Sequence, residues 1–414
     1  MSDSYLRTSC RMCDRSNLVP VMTLTPTPPG NTLLTREELG QSRPRYPLEL
    51  YFCEDCHHVQ LGHVVDPRIL YQNHYLYLSG TSAQFVRHLN DYAAQMVKRF
   101  MLPTGALVAD IGSNDGTGLR FFKEQGMKVV GVDPATEIAR AATESGIETV
   151  AAFFSLAVAK ELRKKYGPAA FITSHNACAH IDRLDDVMRG VAHWLSDDGI
   201  FVLEVGYFVD VYSNLFFDTI YHEHLDYHTV APFRQLFART GMELLSVQRV
   251  APQGGSIRVM AQKAGGSLER DDSITDLISL EEKLGLDRPE SLIAFGERIA
   301  KLGEQLRTLL TRIRGEGRSI AAYGAPTKAV TLLSHFGIGS ELIDFVVEDN
   351  SLKHGMYLPT SRIPVVPTSE LYSRRPDYVL ILAWNFAKPI MAMHEPYTAA
   401  GGRFIVPMPE PKVV

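Results

Sequence analysis

The sequence predicts an α/β protein in three parts: a small metal-stapled module over residues 1–70, a central α/β domain over 71–262 and a second α/β domain over 263–414. Three observations carry this reading. Two Cys-x-x-Cys pairs stand near the start, Cys10 with Cys13 and Cys53 with Cys56. A strand, a glycine turn, a helix and a second strand ending in an acid run from Ala106 to Asp133. After Ser319, strand-like and helical runs alternate again, the grammar of a parallel sheet covered by helices.

The 414 residues suffice for three domains. With 42 basic and 47 acidic side chains the net charge is −5, which offers no basic face for nucleic acid. No apolar stretch has the form of a signal peptide or the length to span a bilayer. The expectation is a soluble, cytoplasmic monomer that acts on a small molecule, without nucleic acid or membrane.

In the first module, each two-residue gap lets both thiolates of a pair face one ion, and two pairs complete a tetrahedron. Two disulfides are the other use of four cysteines, and a reducing cytosol disfavours them. Because all four ligands are cysteines, no position stays open for water, so the expected Zn2+ is structural and not catalytic. The chain between the pairs is rich in Pro, Thr and Gly over 24–30 and reads as irregular, held by the metal.

Residues 71–80 carry three tyrosines, which either pack or form a lid, and a helix with an apolar stripe follows over 83–100. The strand 106–109 leads into Asp110-Ile111-Gly112-Ser113-Asn114-Asp115-Gly116-Thr117-Gly118, then a helix to 125 and the strand 128–132, ending in Asp133 and Pro134. This is a nucleotide-binding βαβ unit: the glycines let a ligand approach the backbone, and Asp133 is placed to hold ribose hydroxyls. A dinucleotide site wants G-x-G-x-x-G and a helix start facing a pyrophosphate. Here the acid two residues before Gly112 repels a pyrophosphate and suits a ligand with sulfonium and ammonium groups. The turn resembles motif I of the S-adenosylmethionine (SAM) methyltransferases. SAM is therefore the expected cofactor, and an NAD-dependent oxidoreductase is the rival.

The unit continues with a helix over 135–145, a strand over 169–173 with Asn176 and His180 just past its end, a helix over 182–195, a strand over 199–205 and a last strand over 257–262. Ligands of open α/β sheets bind at the carboxyl ends of strands. Beyond the strand 199–205 lies Tyr221-His222-Glu223-His224-Leu225-Asp226-Tyr227-His228. Burying such a cluster without partners is costly. It is either a site or a solvated loop, and its place at the strand ends favours the site.

Helices with a solvated, charge-interleaved face are expected over 277–317. Then come a strand over 319–323, a turn over 324–328, a helix over 329–335, a strand over 342–347 and a strand over 378–383 ending in Trp384 and Asn385. Pro326 fits the first turn of the helix. The amides of that helix start, with Lys328 beside them, read as a phosphate cradle, or else the domain only packs.

Taken together, the four-cysteine module, the Asp110–Gly116 turn, the Tyr221-His222-Glu223-His224 run and Tyr323-Gly324-Ala325 with Lys328 resemble, in that order and over nearly the full length, the NDP-sugar C-methyltransferases. The resemblance implies a zinc-binding domain, a SAM domain and a C-terminal Rossmann-like domain. It implies SAM-dependent methylation at C-3 of a nucleoside-diphosphate 4-keto-deoxysugar, commonly dTDP-linked, in branched-deoxysugar and antibiotic biosynthesis. By resemblance His224 is the base, with Tyr221, Glu223, His180 and Tyr75 in the site and Tyr77 close in register to Tyr75. The cofactor set is Asp110, Gly112, Asn114, Asp115, Gly116, Asp133, Pro134 and Asn176. The substrate set is Tyr323, Gly324, Ala325, Lys328, Asn350, Lys353 and Asn385. Two departures touch the nucleotide site: Ala329-Val330 stands where the family often has Gly-Asn, and Asn350-Ser351-Leu352-Lys353 where Asn-Pro-x-Lys is common. A methyltransferase acting on RNA, with the zinc module as its grip, is the reading from another class. His222 and His224 lack the spacing of H-E-x-x-H, so no catalytic metal is expected there.

Overall fold

The computed structural model describes residues 3–71 and 78–414. Tyr75 and Tyr77 lie outside the described residues.

The central domain is a seven-stranded sheet. Its spatial order is Thr149–Ala151, Lys128–Asp133, Leu107–Ile111, Ala169–His175, Leu195–Gly206, Ser256–Lys263 and Met242–Val250. The first five run parallel, and Ser256–Lys263 is inserted antiparallel between Leu195–Gly206 and Met242–Val250. Val108, Ala109, Phe171, Ile172, Val202 and Leu203 are buried between the helix layers, as expected of strands covered on both faces. The helix Ala83–Arg99 lays Phe85, Leu89, Tyr92, Ala93 and Met96 on that core, and Ser82 caps it through the Phe85 amide. The carboxyl ends of the parallel strands share one edge, and the two turns expected at Gly112 and Asn176 sit there with positive φ.

The zinc module is more regular than its composition predicts. Leu18–Thr27 is a strand, so most of the Pro- and Thr-rich stretch is ordered. It is the outer strand of a four-stranded sheet, where prolines leave no ladder bond unmade. The opposite edge of that sheet is Asp226–Tyr227, paired with Gln60 and Val59, which belongs to the polar cluster. The module is thus completed by the central domain's own loop.

The C-terminal sheet has the order Val365–Pro367, Val346–Glu348, Ile320–Tyr323, Tyr378–Ile381, Arg403–Val406 and Lys412–Val413, with only the last strand antiparallel. Before it, Pro289–Gly315 buries Leu292, Phe295, Ile299, Leu302, Leu306, Leu310 and Ile313 at helical spacing. The helix Ser273–Lys283 corrects the expected solvated face at one point: Glu281 is buried and accepts from the Tyr207 hydroxyl and the Val230 amide. Among the described residues, no helix is long and apolar enough to cross a membrane.

Candidate active site

The four cysteines converge. Their ligand atoms lie within 4.8 Å of one another, with Cys10 to Cys56 and Cys13 to Cys53 both 3.5 Å between sulfurs. A disulfide needs ~2.05 Å. Zn–S bonds of ~2.3 Å at tetrahedral angles put sulfurs ~3.8 Å apart. The quartet therefore fits one zinc ion and no disulfide.

At the edge of the central sheet, Gly112 and Gly116 bend the turn with φ of 76° each. A Cβ on Gly112 would stand 2.3 Å from Ala177 Cβ, so the turn closes tightly on the next strand end. Asp133 is buried and accepts from the Asn114 and Ala135 amides. Asp110 Oδ1 and Ser113 Oγ are buried without a hydrogen-bond partner among the described residues. Burial, and the nearby charge of Asp133, hold the Asp110 carboxyl well above the usual range. A buried acid oxygen left unpartnered by the described residues, beside the glycine turn, suits a cationic group such as the sulfonium or ammonium of SAM. The side chains of Asn114 and Asp115 accept the backbone amides of Ser79 and Gly80, so they fasten residues 79 and 80 to this turn. On the same edge Glu204 is buried between His88, at 2.6 Å, and the Arg258 guanidinium, at 3.1 and 3.2 Å. Burial opposes its charge, yet His88, His175 and Arg258 bring it below the usual carboxylate range.

The Tyr221–His228 stretch is a loop that the other two parts hold from outside. His224 Nδ1 donates to the Thr219 carbonyl at 2.8 Å, which leaves Nε2 as the acceptor, and the Tyr221 hydroxyl meets Nε2 at 2.8 Å. The His180 ring lies 5.0 Å from the His224 ring, and Tyr71 stacks on His180 at 5.8 Å. Burial pushes His224 down to about 4; the Thr219 carbonyl counters this and the charge of Lys328 adds to it. Burial, with repulsion from His224, takes His180 well below its ordinary value. Both rings are neutral at neutral pH. Glu223 is 5% exposed, and burial lifts it to about 8, against the Asn31 amide that bonds Oε1 at 2.9 Å. His222 turns away to the Tyr46 carbonyl, and Asp226 bonds His58, so these two serve the zinc sheet.

The C-terminal domain reaches the cluster with Lys328. Its ammonium sits 3.5 Å from the centre of the Trp384 ring and donates to Asn385 Oδ1 at 2.8 Å. Trp384 stacks on Phe216 and donates to the buried Asp218 at 2.7 Å. Burial lowers Lys328 and the Asp218 charge partly restores it. The expected helix-start cradle is not open, because the amides of Ala329, Val330 and Thr331 are taken by Pro326, Thr327 and Lys328 carbonyls. Pro326 precedes the helix Ala329–His335 and does not lie in its first turn. The remaining substrate candidates form two separate knots. Glu348 accepts the Ala325 and Asn350 amides while Lys353 donates to the Ala325 carbonyl, fixing the turn at Gly324. Tyr323 joins Asp349 and His394.

Sequence reasoning missed Asn31, Asp218, Glu204 and Thr327. Asp218 stands three residues before Tyr221 and was within reach of the cluster reading. Asn31, in a Pro-Gly stretch, has the signature of a turn and no other.

Three family models match the chain in succession: a zinc binding domain over residues 10–71, a methyltransferase domain over 85–247 and a C-methyltransferase C-terminal domain over 251–409. The C-methyltransferase NovU of Streptomyces niveus is 34% identical over 405 residues, 98% of this chain and 96% of that one. The chain belongs to the C-methyltransferase family. It is a SAM-dependent C-methyltransferase with a structural zinc ion held by Cys10, Cys13, Cys53 and Cys56. Solved structures are similar over less than half of the chain. The PH0226 protein of Pyrococcus horikoshii is 15% identical, covers 45% of this chain and 94% of that one, and has a TM-score of 0.37. The magnesium protoporphyrin IX methyltransferase of Synechocystis with bound SAM is 14% identical, covers 43% and 79%, and has a TM-score of 0.33.

Proposed function

We propose that this enzyme methylates C-3 of a nucleoside-diphosphate 4-keto-deoxysugar, dTDP-linked, in the making of branched deoxysugars for antibiotics. It works as a cytoplasmic monomer. The observation that carries the reading is the His224 ring: neutral, its Nδ1–H committed to Thr219, its Nε2 facing Tyr221.

A hydrogen on carbon is acidic enough to remove only where a neighbouring carbonyl takes the charge as an enolate. The substrate class therefore needs a ketone beside the methylated carbon. His224 Nε2 accepts that proton once substrate displaces the Tyr221 hydroxyl that bonds it here, and the hydroxyl so released turns to the substrate. Donors must then face the enolate oxygen. Tyr221 has its hydroxyl in the cluster, and Glu223, an acid at neutral pH by its burial, has a proton to give. Asp110, Ser113, Asp133 and Asn176 line the edge where SAM binds. Bound SAM supplies a methyl group on a sulfonium, already a good leaving group, to the nucleophilic carbon. Holding both reactants at one edge supplies much of the rate.

Lys328 is read as the cation for the substrate's phosphates, supported by Asn385 and displaced from the helix start. Lys328→Ala is expected to raise the KM for the nucleotide-sugar about 10- to 100-fold, the size of one charged hydrogen bond, and to leave the KM for SAM within about twofold. Equal effects on both constants would remove the phosphate role.

The test of the function is incubation with SAM and dTDP-4-keto-6-deoxyglucose, with the product read by mass spectrometry and NMR. One added methyl on C-3 supports the reading. A methyl on C-5, the other carbon beside the ketone, corrects the position and keeps the chemistry. A methyl on oxygen overturns it.

A further inference from the structure

The zinc module sends one side chain into the catalytic cluster. Beyond the strand Leu18–Thr27 the chain turns at Pro29, whose carbonyl accepts from both the amide and hydroxyl of Thr32. Asn31, at the tip, is half-buried and uses both ends of its amide. Its Nδ2 donates to Glu223 Oε1 at 2.9 Å, and its Oδ1 accepts from Thr327 Oγ at 2.6 Å. The tip is pinned on both sides. A Cβ on Gly30 would come within 2.5 Å of the Thr327 carbonyl oxygen, so only glycine lets the backbone approach so closely. Leu34 exchanges two backbone hydrogen bonds with Tyr357. Glu223 Oε2 makes no hydrogen bond among the described residues, so the Asn31 bond decides which oxygen of the carboxyl is fixed and which is left for the site.

We propose that Asn31 is a positioning residue for the methyl transfer: its amide holds Glu223 Oε1, turns Oε2 to the substrate and ties that orientation to the C-terminal domain through Thr327. This rests on the reading of Glu223 as part of the active site. The zinc module thereby contributes to catalysis without its metal meeting substrate. The amide also fixes the proton on the outer oxygen, because Oε1 is occupied as an acceptor.

The experiment compares N31A, N31D, E223A and the double variant N31A/E223A in the full-length, zinc-loaded enzyme. The readouts are methyl transfer from SAM to dTDP-4-keto-6-deoxyglucose and, without SAM, exchange of substrate carbon-bound hydrogen in D2O by mass spectrometry. Asn31→Ala is expected to lower kcat and the exchange rate about 10- to 100-fold, with the KM for SAM and the zinc content unchanged. Asn31→Asp keeps the size and the acceptor for Thr327 but lacks the N–H, so it is expected to lose as much as Asn31→Ala. In an E223A background, where the acceptor for the Asn31 amide is gone, Asn31→Ala is expected to cost nothing further. Wild-type rates in N31A or N31D, or an additive loss in the double variant, overturn the positioning role and leave the active-site reading standing. A fully active E223A enzyme overturns both.

Discussion

His224→Ala is expected to abolish methyl transfer, with kcat falling at least about 10³-fold while SAM still binds. General-base catalysis is worth about 10²- to 10⁴-fold, and the hydrogen bond of His224 Nδ1 to the Thr219 carbonyl fixes the tautomer that leaves Nε2 basic. In the proposed function SAM lies against Asp110, Ser113 and Asp133, and no hydrogen bond joins these to His224 among the described residues. Isothermal calorimetry with SAM and the hydrogen-exchange half-reaction separate the two functions. A variant that binds SAM but exchanges no hydrogen supports the assignment, and one that turns over near the wild-type rate ends it. The pH profile follows from the same burial. A free imidazole takes its proton near ~6.5, whereas His224 stays neutral until about 4. Activity that needs the neutral ring therefore persists below pH 6 and fails as the pH drops towards 4. Glu223, lifted to about 8, sets the opposite limb if its proton is needed, and E223Q should remove that limb.

The second large effect is loss of the zinc ion. Cys53→Ser, or chelation, is expected to leave SAM binding measurable and methyl transfer undetectable. The metal is remote from the substrate reading, so the effect travels through the fold. Cys53 ends a strand of the small sheet; the adjoining strand Val59–Leu61 pairs with Asp226–Tyr227, two residues after His224. Asn31, Tyr46 and His58 then hold Glu223, His222 and Asp226 in turn. A structural zinc contributes on the order of 10 kcal/mol to the folding of small modules, enough to decide whether these partners exist. Zinc content, far-UV circular dichroism and turnover measured on one preparation check it. A zinc-free enzyme with full activity would show that the cluster is ordered by the central domain alone.

How much of this was legible in the sequence divides along a physical line. Local chemistry was. The Cys-x-x-Cys pairs, the Asp110–Gly116 turn, the helix Ala329–His335 and the strand ends carrying Asn176, His180 and Trp384 each announce themselves within a few residues. The strand Met242–Val250 did not, because a register shift between Leu244 and Ser246 breaks the alternation that marks a strand. Thr149–Ala151 and Asp226–Tyr227 are too short for any periodicity. Lys328 was legible as a candidate, but its surroundings were not: the Trp384 face and the charge of Asp218 come from far along the chain. Asn31 was invisible for the same reason. A bond across 192 positions leaves no trace in spacing.

The two-residue strand Asp226–Tyr227 has a consequence for anyone recombining these proteins. The amino-terminal part has the outline of a detachable cassette, yet one rail of its sheet is stored more than 150 positions downstream, beside His224. A chimaera that borrows residues 1–70 from a relative would place a foreign edge against this rail, and mismatched pairing there would register first as a misaimed Glu223. Grafts that carry both pieces together should outperform grafts of the cassette alone.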